Sequence, residues 1–498
     1  MKSKKVLVVG IDGGDWRYLN YGIEKNRLPT IKRLMQGGCY GNLKSTIPPT
    51  TFPAWLCFCS GKNPGKVGFY GYLRKLKDSY KTEIKIGDAF SKITPFWEEL
   101  NKNEIKVGIV NIPSTYKPQK INKFMVCLGD VDYAPKDKNR CFPKKLGHEI
   151  NQKLGKLDYE TNYAYFNKSA EEQLKENLHY LGNRSKLNKF LLDKYGKELD
   201  LFLTVFFPDR LQHFVIDPEM LMGYYSELDK EIGRLIKLFK PDDVLLISDH
   251  GGGEVKKEFL INEFLIKEEF LKLKNERVKQ KFLSRIGVNL ENIQKIFAKL
   301  RIDSKIIKIL PRTVIEDYFR FIVPAKTISI EDVEIDWERT IAYSITDCGG
   351  VYINLKGREP KGIVSRKNYE KVRGKIIDKL KKLKNPETEE RIDSEIYRRE
   401  EIYNGEYLEE APDIVYSLDN FDYVPRIRLE GKIFKNPRDA GNHKQYGIMI
   451  ASGKNIRKGK IKGGELIDIA PTILKLFNVK NPKEMDGKVL DIFKDKKV

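Results

Sequence analysis

Short unbroken apolar runs, separated by polar segments of helix length, set the pattern of this chain. Val6 to Ile11, Val107 to Pro113, Leu201 to Phe207 and Val244 to Ser248 are continuous and apolar, without polar alternation. That pattern predicts strands buried on both faces, as in a parallel sheet covered by helices. Between them, a helix is predicted from Leu28-Pro29-Thr30-Ile31 to Met35, stopped by Gly37-Gly38. A second, apolar helix runs from Trp55 to Gly61, and a long amphipathic one from near Glu171 to Tyr195. Past residue 255 the pattern changes. Glu258 to Phe270, Asn289 to Lys299 and Ile302 to Leu310 read as Lys-rich amphipathic helices, so 256–335 is expected to be a helical insertion, a cap beside the site. Strands return at Thr340 to Tyr343, Gly350 to Leu355, Asp413 to Leu418 and Gly447 to Ala451. A basic helix lies within Lys361 to Lys384, and an apolar one spans Leu466 to Phe477. Strand, helix and strand recur, which predicts a doubly wound α/β core from residues 1–255 and 336–498.

Composition narrows the classes. With 40% hydrophobic and 11% aromatic residues in 498, the chain can bury a large core. A formal net charge of +22 attracts anions, but the lysines are spread over the whole length. This favours an anionic substrate over a nucleic-acid surface, and no obligate nucleic-acid partner is expected. Cysteines 39, 57, 59, 127, 141 and 348 form no CxxC pair, so reduced, mostly buried thiols and a cytoplasmic location are expected. The apolar run after Met1-Lys2-Ser3-Lys4-Lys5 is too short for a signal peptide or a membrane span, and no transmembrane segment is expected.

Candidate chemistry gathers where the apolar runs end. The first closes on Gly10-Ile11-Asp12-Gly13-Gly14-Asp15, the third on Pro208-Asp209-Arg210-Leu211-Gln212-His213, and the fourth on Asp249-His250-Gly251-Gly252-Gly253. In open α/β sheets, ligands bind at such carboxyl ends. The first loop lacks GxGxxG spacing, and its central Asp would repel a pyrophosphate. Gly61-Lys62-Asn63-Pro64-Gly65-Lys66 falls one residue short of a P-loop and has no Ser or Thr after Lys66. Asp209 and His213 are one helical turn apart, and His443 sits in a Gly/Asn loop; His148 and His179 lie in polar helical sequence and are given no role. Asp12, Asp209, Asp249, His213, His250 and His443 are too many ligands for one tetrahedral zinc. They suit two divalent ions about 4 Å apart that clamp a phosphate ester. In Ser45-Thr46-Ile47-Pro48-Pro49-Thr50-Thr51-Phe52-Pro53-Ala54-Trp55, two prolines hold an extended approach and Pro53 opens a helix. A hydroxyl of Thr50 or Thr51 then sits at a helix N-terminus suited to an anion.

These motifs, in this order, resemble the type I phosphodiesterase/nucleotide pyrophosphatase family of the alkaline phosphatase superfamily, in the phosphohydrolase branch found in archaea and bacteria. Gly61 to Gly65 and Tyr352 to Pro360 add to the likeness. The resemblance implies an alkaline-phosphatase-like three-layer α/β/α sandwich, with a mostly parallel central sheet and a helical insertion. It implies a two-metal hydrolase, usually a zinc enzyme with manganese as the other fit, acting on a small phosphate ester such as a nucleotide. Thr51, directly before Phe52-Pro53, would be the nucleophile. One ion would be held by Asp12, Thr51, Asp249 and His250, the other by Asp209, His213 and His443. Two positions depart from the family pattern: Gln212 stands where Gly is usual before the histidine, and Gly252 stands where Met often follows Asp-His-Gly. Asn111 is a candidate for the family's substrate-binding asparagine. A phosphomonoesterase or phosphomutase is the alternative within the fold. A sulfatase is disfavoured because Cys57 and Cys59 lack the Cys-x-Pro-x-Arg context. A non-enzymatic binder of nucleic acid or anionic membrane is the alternative outside it.

Overall fold

Within the strand Val6–Ile11, Val6 and Val8 enter one hydrophobic cluster while Leu7, Val9 and Ile11 enter another. Leu201, Leu203 and Val205 divide from Phe202 and Phe206 in the same way. Successive side chains of a strand point to opposite faces, so a run apolar at every position is a strand covered on both sides. The computed structural model, which describes residues 4–83, 90–127, 140–155, 168–274 and 335–494, shows both covers. Helices Thr51–Ser60, Phe96–Lys102 and Ile469–Leu476 line one face; Trp16–Glu24, Pro29–Gly37, Ala170–Tyr195 and Pro218–Phe239 line the other.

The central sheet runs in the order Gly459–Lys460, Gly38–Lys44, Tyr446–Gly453, Asp243–Ile247, Val6–Ile11, Leu201–Phe206, Val107–Val110, Phe124–Val126, Cys141–Phe142. Asp243–Ile247 through Phe124–Val126 are parallel to one another, and Tyr446–Gly453 is antiparallel to both its neighbours. This is the mostly parallel three-layer α/β/α sheet expected. Ile11 pairs with Phe206 and Gly10 with Ile247, so three adjacent strands end level with one another. The loops carrying Asp12, Asp209 and Asp249 start from that common edge.

Residues between the central strands build a smaller unit. Ala342–Tyr343, Gly350–Ile353, Ile414–Leu418 and Ser394–Arg398 form an antiparallel sheet, with the helix Arg366–Leu380 in contact with two of its strands. Tyr423–Arg426, Lys257–Leu260 and Phe434–Lys435 form another, and both share a third hydrophobic cluster. The helix expected over Glu258 to Phe270 is instead the strand Lys257–Leu260 followed by the helix Ile261–Lys267. Phe259 and Leu260 are fully buried and pair with strands distant in sequence, so tertiary pairing overrides the helical spacing. The helices expected at Asn289 to Lys299 and Ile302 to Leu310 lie outside the described residues. Among the described residues no helix is long and apolar enough to cross a membrane, and all six cysteines are free, five of them buried.

The two departures noted in the sequence meet in space. Gly252 pairs with His443 across the antiparallel strands Gly251–Glu254 and Gly441–Lys444. A Cβ on Gly252 would lie 1.8 Å from Oε1 of Gln212. That amide is held in place, because Gln212 Nε2 donates to the Tyr225 hydroxyl at 2.8 Å. The larger residue before His213 thus fills the space that a side chain at 252 would occupy. Gly252→Met is expected to cost about 1–3 kcal/mol by overpacking. Combined with Gln212→Gly it should cost about 1 kcal/mol less than the sum of the two single changes, read by denaturant titration of all four proteins. Strict additivity would remove this packing account.

Candidate active site

Each histidine at the sheet edge is fixed by a backbone carbonyl. Nδ1 of His250 lies 2.9 Å from the Gly251 carbonyl, Nδ1 of His213 is 3.1 Å from that of Gly441, and Nδ1 of His443 is 2.9 Å from that of Pro49. A ring that donates Nδ1–H to a carbonyl offers its unprotonated Nε2 on the far side, which is how metal-binding histidines are oriented. All three Nε2 atoms face carboxylates. His213 Nε2 lies 3.2 Å from Asp209 Oδ2, and His443 Nε2 lies 3.7 Å from Asp209 Oδ1. His250 Nε2 is 3.2 Å from Asp249 Oδ2 and 3.6 Å from Asp12 Oδ1. The rings of His250 and His443 stack at 4.0 Å between centroids.

Thr51 completes the group. Its Oγ1 lies 3.0 Å from His250 Nε2. It is the first residue of the helix Thr51–Ser60, with Thr50 as N-cap, so the helix begins two residues before Pro53. Pro53 still falls in the first turn, where its missing N–H has no intrahelical partner to lose. The approach is bent at Ile47 and Pro48, not simply extended, and the Thr50 amide donates to the Pro48 carbonyl at 2.9 Å. Gln445 holds this bend, with Nε2 donating to the carbonyls of Ser45 and Thr46 at 2.8 and 3.0 Å. His443, two residues earlier, is seated on Pro49. One turn into the helix, Trp55 Nε1 donates to Asp12 Oδ2 at 2.9 Å. The indole reaches it by crossing Gly10, where a Cβ would lie 2.6 Å from the ring.

Charge is crowded here. Asp12, Asp209 and Asp249 are all buried, at most 8% exposed. Burial, then the nearby Asp12 and Asp209 carboxylates, push Asp249 well above the usual carboxylate range. Burial would also raise Asp209, but the His213 and His443 imidazoles hold it well below that range. Burial pulls against His213, yet Asp209 raises it to about 9. Burial, followed by the neighbouring His443, lowers His250 to about 3, leaving a neutral imidazole. Asp249 Oδ2 and His443 Nε2 are buried without a hydrogen-bond partner. Two unsatisfied inward-facing donor atoms, among carboxylates that repel one another, fit divalent cations. Asp209, His213 and His443 form one set with ligand atoms within 4.8 Å of one another, and Asp12, Asp209 and His250 form another, so Asp209 belongs to both.

The structure therefore brings together all seven residues singled out in the sequence. Asn111 is placed differently. It follows the strand Val107–Val110, next to the Asp209 strand, with φ 61° and both side-chain amide atoms buried and unpartnered. His148 and His179 lie elsewhere, on the helices Lys144–Leu154 and Ala170–Tyr195. Sequence reasoning missed the Pro49, Gly251 and Gly441 carbonyls. It also missed the Trp55 indole, for which there was a signal: Trp55 stands four residues after Thr51 on one helix face.

The family model described as type I phosphodiesterase/nucleotide pyrophosphatase matches residues 6–444. No curated protein matches the chain in sequence. The fold is similar to that of an inactive threonine-to-alanine variant of murine ectonucleotide pyrophosphatase/phosphodiesterase 5 in complex with AMP, with TM-score 0.50, 14% identity and 96% of each chain covered. The human ectonucleotide pyrophosphatase/phosphodiesterase 5 is similar at TM-score 0.50 and 14% identity, over 98% of this chain and 100% of that one. Phosphonoacetate hydrolase from Sinorhizobium meliloti, in complex with phosphonoformate, is similar at TM-score 0.56 and 14% identity, over 96% of each chain. These likenesses show the alkaline-phosphatase-like fold, and the family model spans most of the chain. The chain belongs to the type I phosphodiesterase/nucleotide pyrophosphatase family, a family of metallo-hydrolases that act on phosphoryl groups.

Proposed function

We propose that this protein hydrolyses a phosphodiester or pyrophosphate bond in a small nucleotide-like substrate, with Thr51 as the attacking group. The observation that carries this reading is the position of Thr51 Oγ1, at a helix N-terminus and 3.0 Å from His250 Nε2 within the ligand cluster. The murine relative solved with AMP, itself an inactive threonine-to-alanine variant, supports both the nucleotide and the threonine.

Asp12, Thr51, Asp249 and His250 would hold one cation and Asp209, His213 and His443 the other. Asp209 lies between the two sets. Three imidazoles among carboxylates favour zinc. When bound, two such ions stabilise negative charge on the attacking and leaving oxygens of an in-line displacement. The protein's own groups do the rest. Trp55 fixes Asp12, and the three carbonyls fix the imidazoles, so the ligand set needs little reorganisation. The first turn of the Thr51 helix presents the N–H groups of Thr51 and Phe52 toward an anion. Thr51 Oγ gives up its proton to solvent and bonds to phosphorus, and the ester oxygen leaves with its electron pair and takes up a proton from solvent. Water then cleaves the phospho-threonine bond and restores the hydroxyl.

Thr51→Ala is expected to lower turnover of a chromogenic phosphodiester by roughly 10³-fold or more while zinc content and thermal midpoint stay near wild type. Full activity in that variant would remove the assignment. The diester should be hydrolysed faster than the corresponding monoester; the reverse ratio would favour the phosphomonoesterase reading. Asp249→Asn should have opposite effects in two states. It removes one of three buried like charges, so the chelator-treated protein should melt higher than chelator-treated wild type, yet zinc binding and turnover should fall. A lower melting point in both states would mean that charge crowding is not what the cations relieve.

A further inference from the structure

We propose that Asn420, in the smaller unit, is a positioning residue for the site. Its side chain fixes Gln445, and through Gln445 it sets both the bend that leads into Thr51 and the strand that carries His443. This rests on Thr51 being the attacking group and His443 a ligand. Asn420 Oδ1 accepts the Gln445 backbone N–H at 3.0 Å. Gln445 is buried, and its own carbonyl accepts from the Ser45 N–H at 2.9 Å. Its Nε2 donates to the carbonyls of Ser45 and Thr46 at 2.8 and 3.0 Å. Gln445 stands between the strands Gly441–Lys444 and Tyr446–Gly453, outside both ladders. No strand partner therefore fixes its N–H, and Asn420 supplies the acceptor.

The backbone around Asn420 is held in a disfavoured form. Asp419, Asn420 and Phe421 have φ of 50°, 50° and 62°, three consecutive left-handed residues without a glycine. A Cβ crowds that conformation, and Asn and Asp normally visit it singly. Such a run persists only where the surroundings hold it, and outliers of this kind gather at functional sites. The surroundings do hold it. Phe421 is buried, and the Asp419 N–H donates to the Asp393 carbonyl at 2.7 Å. The Asp422 N–H closes the turn on the Asp419 carbonyl at 2.9 Å. Lys256 Nζ bridges the Asp419 and Asp422 carboxylates at 2.6 and 3.1 Å. The turn links the strands Ile414–Leu418 and Tyr423–Arg426, one from each small sheet.

What this turn delivers is a grip on the two residues that follow His443. Asn420 takes Gln445, and the Asp422 carboxylate takes the buried Lys444 ammonium. Lys444 Nζ also donates to the Glu254 carbonyl at 2.7 Å, on the strand that follows His250. A shift of Gln445 would carry the Ser45 and Thr46 carbonyls with it, and with them the Pro49 carbonyl that orients the His443 ring. The approach to Thr51 and one ligand would then move together. Reacting groups tolerate little of this, since a misplacement of about 1 Å can cost about 10²-fold in rate.

The test compares Asn420→Gly with Asn420→Asp in zinc-loaded full-length protein. Glycine accepts the left-handed backbone but deletes the acceptor, whereas aspartate keeps both. Asn420→Gly should lower kcat for a chromogenic diester about tenfold with KM changed by less than about twofold, because the attacking group is misaimed while substrate contacts stay. Competition with a chromogenic chelator should show zinc at the His443 set held about tenfold more weakly. Asn420→Asp should restore kcat and zinc affinity to within about twofold of wild type. Unchanged kcat and zinc affinity in Asn420→Gly would overturn the proposal, even with a lowered thermal midpoint, because the contact would then serve stability alone. So would an Asn420→Asp variant as impaired as Asn420→Gly, since the acceptor would not be what matters. Failure of the Thr51 reading shows separately, as full activity in Thr51→Ala.

Discussion

Three carboxylates buried side by side are the constraint around which this protein is arranged. Asp12, Asp209 and Asp249 sit at the level ends of adjacent parallel strands, where burial, then Asp12 and Asp209, raise the cost of ionising Asp249. Such a cluster fits divalent cations, and the three imidazoles turn Nε2 toward the same carboxylates. Their neighbours pull the imidazoles apart: Asp209 pushes the pKa of His213 up, while burial, followed by His443, pushes that of His250 down.

The orientation of His443 depends on two segments almost 400 residues apart in the chain. Ser45 to Thr51 receives Gln445 and His443, and in return Pro49 fixes the His443 ring. A proline-rich bend is therefore a seat for a ligand as well as an approach to the helix. Trp55 adds the other tie, since the helix that begins with Thr51 also clamps Asp12. Thr51, Asp12 and His443 are consequently positioned by one rigid piece, and displacement of that helix would disturb both ligand sets together.

Much of this was legible in the sequence, for a physical reason. A strand covered on both faces must be apolar throughout, so the central strands announce themselves, and polar residues directly after them have few places to go but the sheet edge. Asp12, Asp209, His213, Asp249 and His250 could be read this way. His443 could not be placed by its own loop and needed its motif context. The strand Lys257–Leu260 was misread as helix because a short apolar segment fits either period, and only its pairing partners, near residues 423 and 434, decide between them. The departures at Gln212 and Gly252 were visible separately. That they exchange volume with one another was not.

The sequence by itself determined the chemistry: which residues can ligate, that a hydroxyl stands at a helix N-terminus, and that the fold is a helix-covered parallel sheet. Periodicity and composition carry that information locally. Only the tertiary structure decided how the ligands are aimed. The carbonyls of Pro49, Gly251 and Gly441 have no sequence signature, because every residue has a carbonyl.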